Sequence, residues 1–370
     1  MVRQKKKRVV VGMSGGVDSS LTAKLLKDDG YEVIGLFMRN WDETSHGGEC
    51  RATQDSHDAQ TVCDQIGIPF YVVNFTQGYW DRVFATFLKE LKQGYTPNPD
   101  VLCNREIKFD LFYQKALSFD ADYLATGHYA RVIQRNGRHL LAKGVDSTKD
   151  QSYFLHAING RVLEKVLFPL GEMKKKEVRK ISSGLGLVTS DKRDSMGICF
   201  IGKRNFKDFL GHYLGYSRGE FRRLSGEVVG EHDGSAYYTI GQRKGLGLGG
   251  AGEAWFVVGK EKSRNVVYVE QGQDHPALYS RRLVAHEATW ICGDLLENGL
   301  TNPAHLTAKI RYRQSDEACM VKLCAGGVVE VEFTRPQRAV TARQSVVFYD
   351  GEICLGGAWI ESADTLAPLR

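Results

Sequence analysis

Seven residues, Ser14-Gly15-Gly16-Val17-Asp18-Ser19-Ser20, constrain this chain most, because of what flanks them. Ahead lies Val9-Val10-Val11-Gly12-Met13, a β-branched run that reads as a strand buried on both faces. Behind, Leu21, Ala23, Leu25 and Leu26 give residues 19–29 helical character, with a stop at Gly30. A strand, a glycine turn and a helix in that order point backbone amides, hydroxyls and the positive end of the helix at one place. That is a cradle for an anion. No Gly-Lys-Ser/Thr follows, and Gly-x-Gly-x-x-Gly is absent, so it is neither a Walker loop nor a dinucleotide fingerprint. Asp18 suits a Mg²⁺ ion bridging phosphates, or a helix cap. A plain serine-capped turn is the alternative on these residues alone.

The same alternation continues. Residues 32–38, 70–74 and 123–126 read as strands, and 55–66, 80–93 and 105–119 as helices. Strand and helix in turn predict a doubly wound parallel α/β sheet, which binds ligands beyond the carboxyl ends of its strands. Those ends are 12–19, 38–41, 74–76 and 126–128. From about residue 210 glycines become frequent and short β-like runs appear at 237–240, 255–258 and 266–269. From about 283 short strands follow at 306–312, 318–323, 328–333, 345–349 and 355–360, as in a small β-barrel. We therefore expect a catalytic domain over 1–209, a small mostly β domain over 210–280 and a C-terminal β-barrel over 281–370.

With 370 residues, 42% hydrophobic and 25% charged, the chain can build ordinary cores and is not a disordered protein. A net charge of +6 is compatible with a nucleic-acid partner without demanding one. No apolar run approaches the length of a membrane span, and no signal peptide is legible, so a cytoplasmic, reducing setting is expected. None of the eight cysteines is spaced Cys-x-x-Cys, which gives no support to a zinc ribbon or a local iron–sulfur clamp.

Two cysteines stand out. Cys103 follows Asn98-Pro99-Asp100-Val101-Leu102, and a helix is expected to begin near Asn104. A thiol at a helix N-terminus near Arg105 and Lys108 would be acidified and reactive, with Asp100 placed for acid–base work. A buried packing thiol is the equal alternative. Cys199, within Gly197-Ile198-Cys199-Phe200-Ile201-Gly202, reads by itself as structural. The basic run 174–180 reads as a helix with Val178 and Ile181 inward. Its lysines form either a solvated face or, with Lys203, Arg204, Lys207, Arg222 and Arg223, a phosphate track.

Ser-Gly-Gly-Val-Asp-Ser-Ser resembles the loop of the PP-loop ATP pyrophosphatases. Gly35-Leu36-Phe37-Met38-Arg39-Asn40-Trp41, the stretch from Asn98 to Asn104, Ala125-Thr126-Gly127-His128-Tyr129, Lys149-Asp150-Gln151-Ser152-Tyr153-Phe154 and the Cys199 motif stand in order along the chain. Thr239-Ile240-Gly241-Gln242-Arg243-Lys244 and Arg311-Tyr312-Arg313 follow them. Together they resemble the bacterial tRNA-specific 2-thiouridylases over nearly the whole length.

That resemblance implies adenylation of the C2 oxygen of a wobble uridine by ATP, with Mg²⁺, in tRNA of the lysine, glutamate or glutamine type. Sulfur transfer would follow. Sulfur would arrive as a persulfide on Cys199 from a relay protein. Cys103 would then attack the persulfide to release sulfide, or resolve a disulfide after direct persulfide attack on C2. Asp100 would be the acid–base group. Asn98, Pro99 and Asp100 would hold the flipped uridine. Gly12, Met13, Ser14, Gly15, Gly16, Val17, Asp18, Ser19, Met38 and Gly127 would contact ATP. His128, Lys149, Asp150, Gln151, Arg311, Tyr312 and Gln344 would contact tRNA. A monomer with no membrane association is expected. A ligase adenylating a small molecule is the rival, against which paired thiols and two extra β domains count.

Overall fold

In the computed structural model, residues 6–41, 51–193, 206–293, 295 and 299–365 are described. Cys199, Lys203 and Arg204 lie outside them.

Strands β1 (Arg8–Met13), β2 (Glu32–Arg39), β3 (Phe70–Asn74) and β4 (Tyr123–Ala125) lie parallel with Val166–Leu167 in the order β3-β2-β1-β4 and then 166–167. Val9 pairs with Val33 on one side and Tyr123 on the other. The run 9–11 is buried on both faces, as its composition predicts, each side chain contributing roughly 1.5–3 kcal/mol of apolar burial. The strand order reverses at β1, so the crevice for a ligand opens after β1 and β4. Helix α1 (Val17–Asp28) and helix α2 (Arg51–Ile66) cover the sheet.

A hairpin of β5 (Ala130–Arg135) and β6 (Arg138–Lys143) leaves this sheet for the far end of the chain. The central domain is a four-stranded sheet of Gly219–Arg222, Val228–His232, Trp255–Glu261 and Val266–Gln271. The expected strand at 237–240 is absent. A 3-10 turn over Ser235–Tyr237 occupies the place, because Gly234 and Gly241 both take positive φ and break extension on either side.

The C-terminal barrel has six strands: Tyr279–Trp290, Ala304–Lys309, Glu317–Leu323, Val329–Arg338, Ser345–Asp350 and Ile353–Ala363. It closes by pairing of the first with the last. Strand β6 adds to the last of these, Ala142 opposite Ile353. The catalytic domain and barrel also share a core, in which Val10, Leu36, Phe112 and Tyr153 pack in one cluster with Val347 and Tyr349. Tyr153 donates its hydroxyl to the Ser345 carbonyl at 3.0 Å.

Candidate active site

The loop after β1 is built around its glycines and serines. Gly15 takes φ +68°, and a Cβ there would stand 2.2 Å from the Asp55 carbonyl oxygen, so only glycine fits. Ser19 Oγ receives the Ser14 amide at 3.1 Å and donates to the Gly16 carbonyl at 3.1 Å. Gly127, just past β4, lets that strand end approach the start of α1, where a Cβ would meet Asp18 C and Ser19 N at 2.9 Å. Glycines on both sides of the switch point thus let the end of β4 pack on the start of α1, and the loop on Asp55, at backbone distance.

Asp18 does not cap α1. The N-cap is Gly16, with no side-chain cap bond. Instead Asp18 accepts from Tyr129 Oη at 2.7 Å and from Lys175 Nζ at 2.6 and 2.7 Å. Lys175 is the buried member of the basic run, and it sits on the helix Lys175–Gly184. Val178 is buried there as expected, but Ile181 is 37% exposed, so the inward face is narrower than the pattern suggests. Other charges of the imagined track are engaged locally, with Arg179 on the Ser190 and Lys192 carbonyls, Lys207 on Asp233 and Arg223 on Glu270. Lys192, which sequence reasoning passed over, donates to the Gly15 carbonyl at 2.8 Å and to Asp55 and Asp58 at 2.6 and 2.5 Å. Burial raises the Asp58 pKa, but the bonds from Lys192 and Gln54 outweigh it and hold the carboxyl below its ordinary value. Neither lysine's pairing carried a local sequence signal, since each carboxylate partner lies more than a hundred positions away.

The thiol site differs from the expected helix start. The helix begins at Pro99, with Asn98 as N-cap accepting the Asp100 amide at 3.1 Å. Proline at the first position and an asparagine cap move the start five residues ahead of Asn104. Cys103 therefore lies a turn inside, at the head of a π-helical stretch, Cys103–Leu111. It is 3% exposed, among Val101, Ile107, Phe209 and Trp359. Met38, Trp41 and Phe75, from the carboxyl ends of β2 and β3, pack on the same cluster. Burial raises the Asp100 pKa and the Lys108 charge draws it back. The same Lys108 sits 3.4 Å from His128 Nε2, while Thr126 Oγ1 is 2.7 Å from Nδ1. An ammonium only donates, so Nε2 is the acceptor and Nδ1 carries the proton. Burial first, and Lys108 second, hold His128 well below its ordinary pKa, and the ring is neutral.

The remaining residues cluster at the junction of the three domains. Asp150 is buried, accepts from the Gly144 and Ser152 amides at 3.1 Å, and faces Lys309 at 3.5 Å. Gln151 exchanges bonds with Tyr129, its Oε1 accepting the Tyr129 amide at 3.0 Å. Tyr312 donates to the Lys149 carbonyl at 3.2 Å and packs its ring on Phe154 at 4.5 Å. Arg311 and Tyr312 lie in a bend after the strand Ala304–Lys309, not within it. Gln344 bonds the Thr96 carbonyl, and Lys260 of the central domain lies 3.3 Å from Thr96 Oγ1. Both auxiliary domains therefore grip the loop that leads into Asn98.

The chain is 55% identical over 359 residues to the tRNA-specific 2-thiouridylase MnmA of Halalkalibacterium halodurans, covering 97% of this chain and 96% of that one. It is 56% identical over 359 residues to tRNA-specific 2-thiouridylase MnmA 1 of Geobacillus kaustophilus, covering 96% of each. The chain belongs to the tRNA-specific 2-thiouridylase family. That family identity makes it a sulfurtransferase enzyme. Residues 7–203 match the family described as tRNA methyl transferase HUP domain, 207–271 the tRNA methyl transferase PRC-barrel domain, and 280–360 the aminomethyltransferase beta-barrel domain. Among solved structures, a 4-thiouridine synthetase–RNA complex with bound ATP aligns at 18% identity and a TM-score of 0.37, over 56% of this chain and 49% of that one.

Proposed function

We propose that this chain replaces the C2 oxygen of a tRNA wobble uridine by sulfur, with ATP as co-substrate and AMP and pyrophosphate as products. One juxtaposition carries the reading. An anion cradle at 14–19 and a buried thiol preceded by a carboxylate, Cys103 with Asp100, meet the carboxyl ends of one parallel sheet. Gly12 to Ser19, Met38 and Gly127 would border the nucleotide, its phosphates resting on loop amides and its leaving pyrophosphate on the start of α1. Mg²⁺ fits as an ion carried on those phosphates. Asp18 is a single carboxylate already engaged by Lys175, and no group of three ligand-type side chains exists among the described residues.

Adenylation turns the C2 oxygen into part of a good leaving group. Asn98, Pro99 and Asp100 would hold the extruded base, and Asp100, with its pKa raised by burial, would move its proton. The outer sulfur of a Cys199 persulfide, delivered by a relay protein, then displaces AMP at C2, and Cys103 attacks the Cys199 sulfur to expel the 2-thiouridine; or Cys103 attacks the inner sulfur first, and the sulfide it releases displaces AMP at C2. Either route ends in a Cys103–Cys199 disulfide that an external thiol reduces. His128, Lys149, Arg311, Tyr312 and Gln344 would face the RNA, while Asp150 and Gln151 act by holding the junction beneath it. The protein would work as a monomer in the cytoplasm. No helix among the described residues is long and apolar enough to cross a membrane.

The test is nucleoside mass spectrometry of unmodified glutamate, glutamine or lysine tRNA after incubation with protein, ATP, Mg²⁺ and a sulfide source. One sulfur should replace one oxygen at the wobble uridine, and only with ATP. With the sulfur supplied instead as a persulfide on a relay protein, Cys103→Ser and Cys199→Ser should each abolish the gain while ATP still binds. Full activity in either variant overturns the two-thiol step. ATP cleavage to AMP without sulfur gain moves the substrate to a small molecule.

A further inference from the structure

A cleft of about 540 Å³ opens at the seam between the central domain and the barrel, lined by Tyr279, Arg311, Arg313, Arg335, Gln337 and Arg338. Two of its arginines are unusual. Arg311 is fixed by its Nη2, which donates to the carbonyls of Ile240 and Ala339 at 3.0 and 2.8 Å. Arg338 lies over the Phe256 ring at 5.0 Å, its Nε donating to the Gln273 carbonyl at 3.2 Å. Its Nη2 is buried and has no hydrogen-bond partner. The two guanidinium groups meet across Gly241, where a Cβ would stand 3.5 Å from both Arg311 Nη2 and Arg338 Nη1. Burial lowers the Arg311 pKa, and the Arg338 charge lowers it further. The cleft's one lining carboxylate, Glu317, is taken up by Arg335 in a bidentate pair at 2.8–2.9 Å.

Two like charges on either side of Gly241, with one donor left over, form an arrangement that an anion relieves. Guanidinium forks match the oxygens of a phosphate, and one phosphate can accept from two forks at once. We propose that Arg311 and Arg338 bind one backbone phosphate of the RNA in this cleft, with Arg338 as the specific new contact. The proposal rests on the tRNA reading above and adds a second domain's boundary to the RNA path.

The test compares tRNA binding by the full chain and by Arg338→Gln across a salt series. Removing one phosphate contact should weaken binding about tenfold and flatten the slope of log K against log salt by about 0.7–0.9. Arg338→Lys should retain the slope. An unchanged slope in Arg338→Gln overturns the proposal while the tRNA reading stands. A wild-type chain that binds no tRNA overturns both. If Arg338→Gln lowers the thermal midpoint, phenylglyoxal labelling of the wild-type chain decides by mass spectrometry. Protection of Arg338 by tRNA supports the site, and equal labelling overturns it. Protection by inorganic phosphate but not by tRNA assigns the cleft to a free anion and overturns the RNA contact.

Discussion

Lys108 acts on two groups at once. It opposes the burial that raises the Asp100 pKa, and it reinforces the burial that keeps His128 neutral. Replacing it by methionine removes the one charge among the described residues that opposes burial at Asp100, so that carboxyl should titrate higher still. With Asp100 in its proposed acid–base role, one limb of the pH–rate profile should therefore move to higher pH in Lys108→Met, read by single-turnover thiolation. A profile that stays in place would separate Asp100 from the rate-limiting proton transfer. Sequence put Lys108 near Cys103, but His128 and Lys108 are twenty positions apart and only the fold makes them neighbours.

At the level of elements, most strands were legible because buried β-branched runs have few alternatives. Residues 70–74 form the strand as read, and β1 and β2 each exceed their reading by one residue. The helix at the thiol site starts ahead of the expected Asn104 because Pro99 occupies its first position behind the Asn98 cap. The π-helical stretches Trp80–Phe84 and Cys103–Leu111 have no sequence signature, since their extra residue per turn is set by packing. The close approach of β4 to α1 was equally invisible, and it yields a prediction. Gly127→Ala pushes a methyl into the Asp18–Ser19 backbone at 2.9 Å and should cost about 1–3 kcal/mol of stability, seen in the thermal midpoint. Because the displaced backbone belongs to the anion loop, ATP-dependent AMP formation should fall far more than the midpoint does. Equal activity in this variant would show that the loop does not hold the nucleotide.

Across the whole molecule, the catalytic domain and barrel meet through a buried histidine. His156 Nε2 lies 2.8 Å from Ser345 Oγ, its ring packs on Trp359, and a Cβ on Gly357 would come within 2.5 Å of Nδ1. Burial, helped by the Arg105 charge, pushes its pKa down to about 3. The unfolded chain takes up this proton near pH 6.5 and the folded chain does not, so the stabilisation is complete above pH 6.5 and fades as pH falls toward 3. The slope is about 1.4 kcal/mol per pH unit for one such group. Denaturant unfolding of His156→Gln between pH 7 and 5 should show a shallower loss than the parent, and an equal loss would place the acid sensitivity elsewhere. The β5–β6 hairpin has a different consequence, in time. Its partner, Ile353, leaves the ribosome long after Ala142, on the order of ten to forty seconds later at ordinary rates of synthesis. Through that interval the nascent chain carries an unfinished edge that could pair with a neighbour. Arg131, Arg135, Arg138 and Lys143 keep it charged during the wait. Glu352 then engages Arg131, and Gly351 receives Lys143, as the last strand arrives.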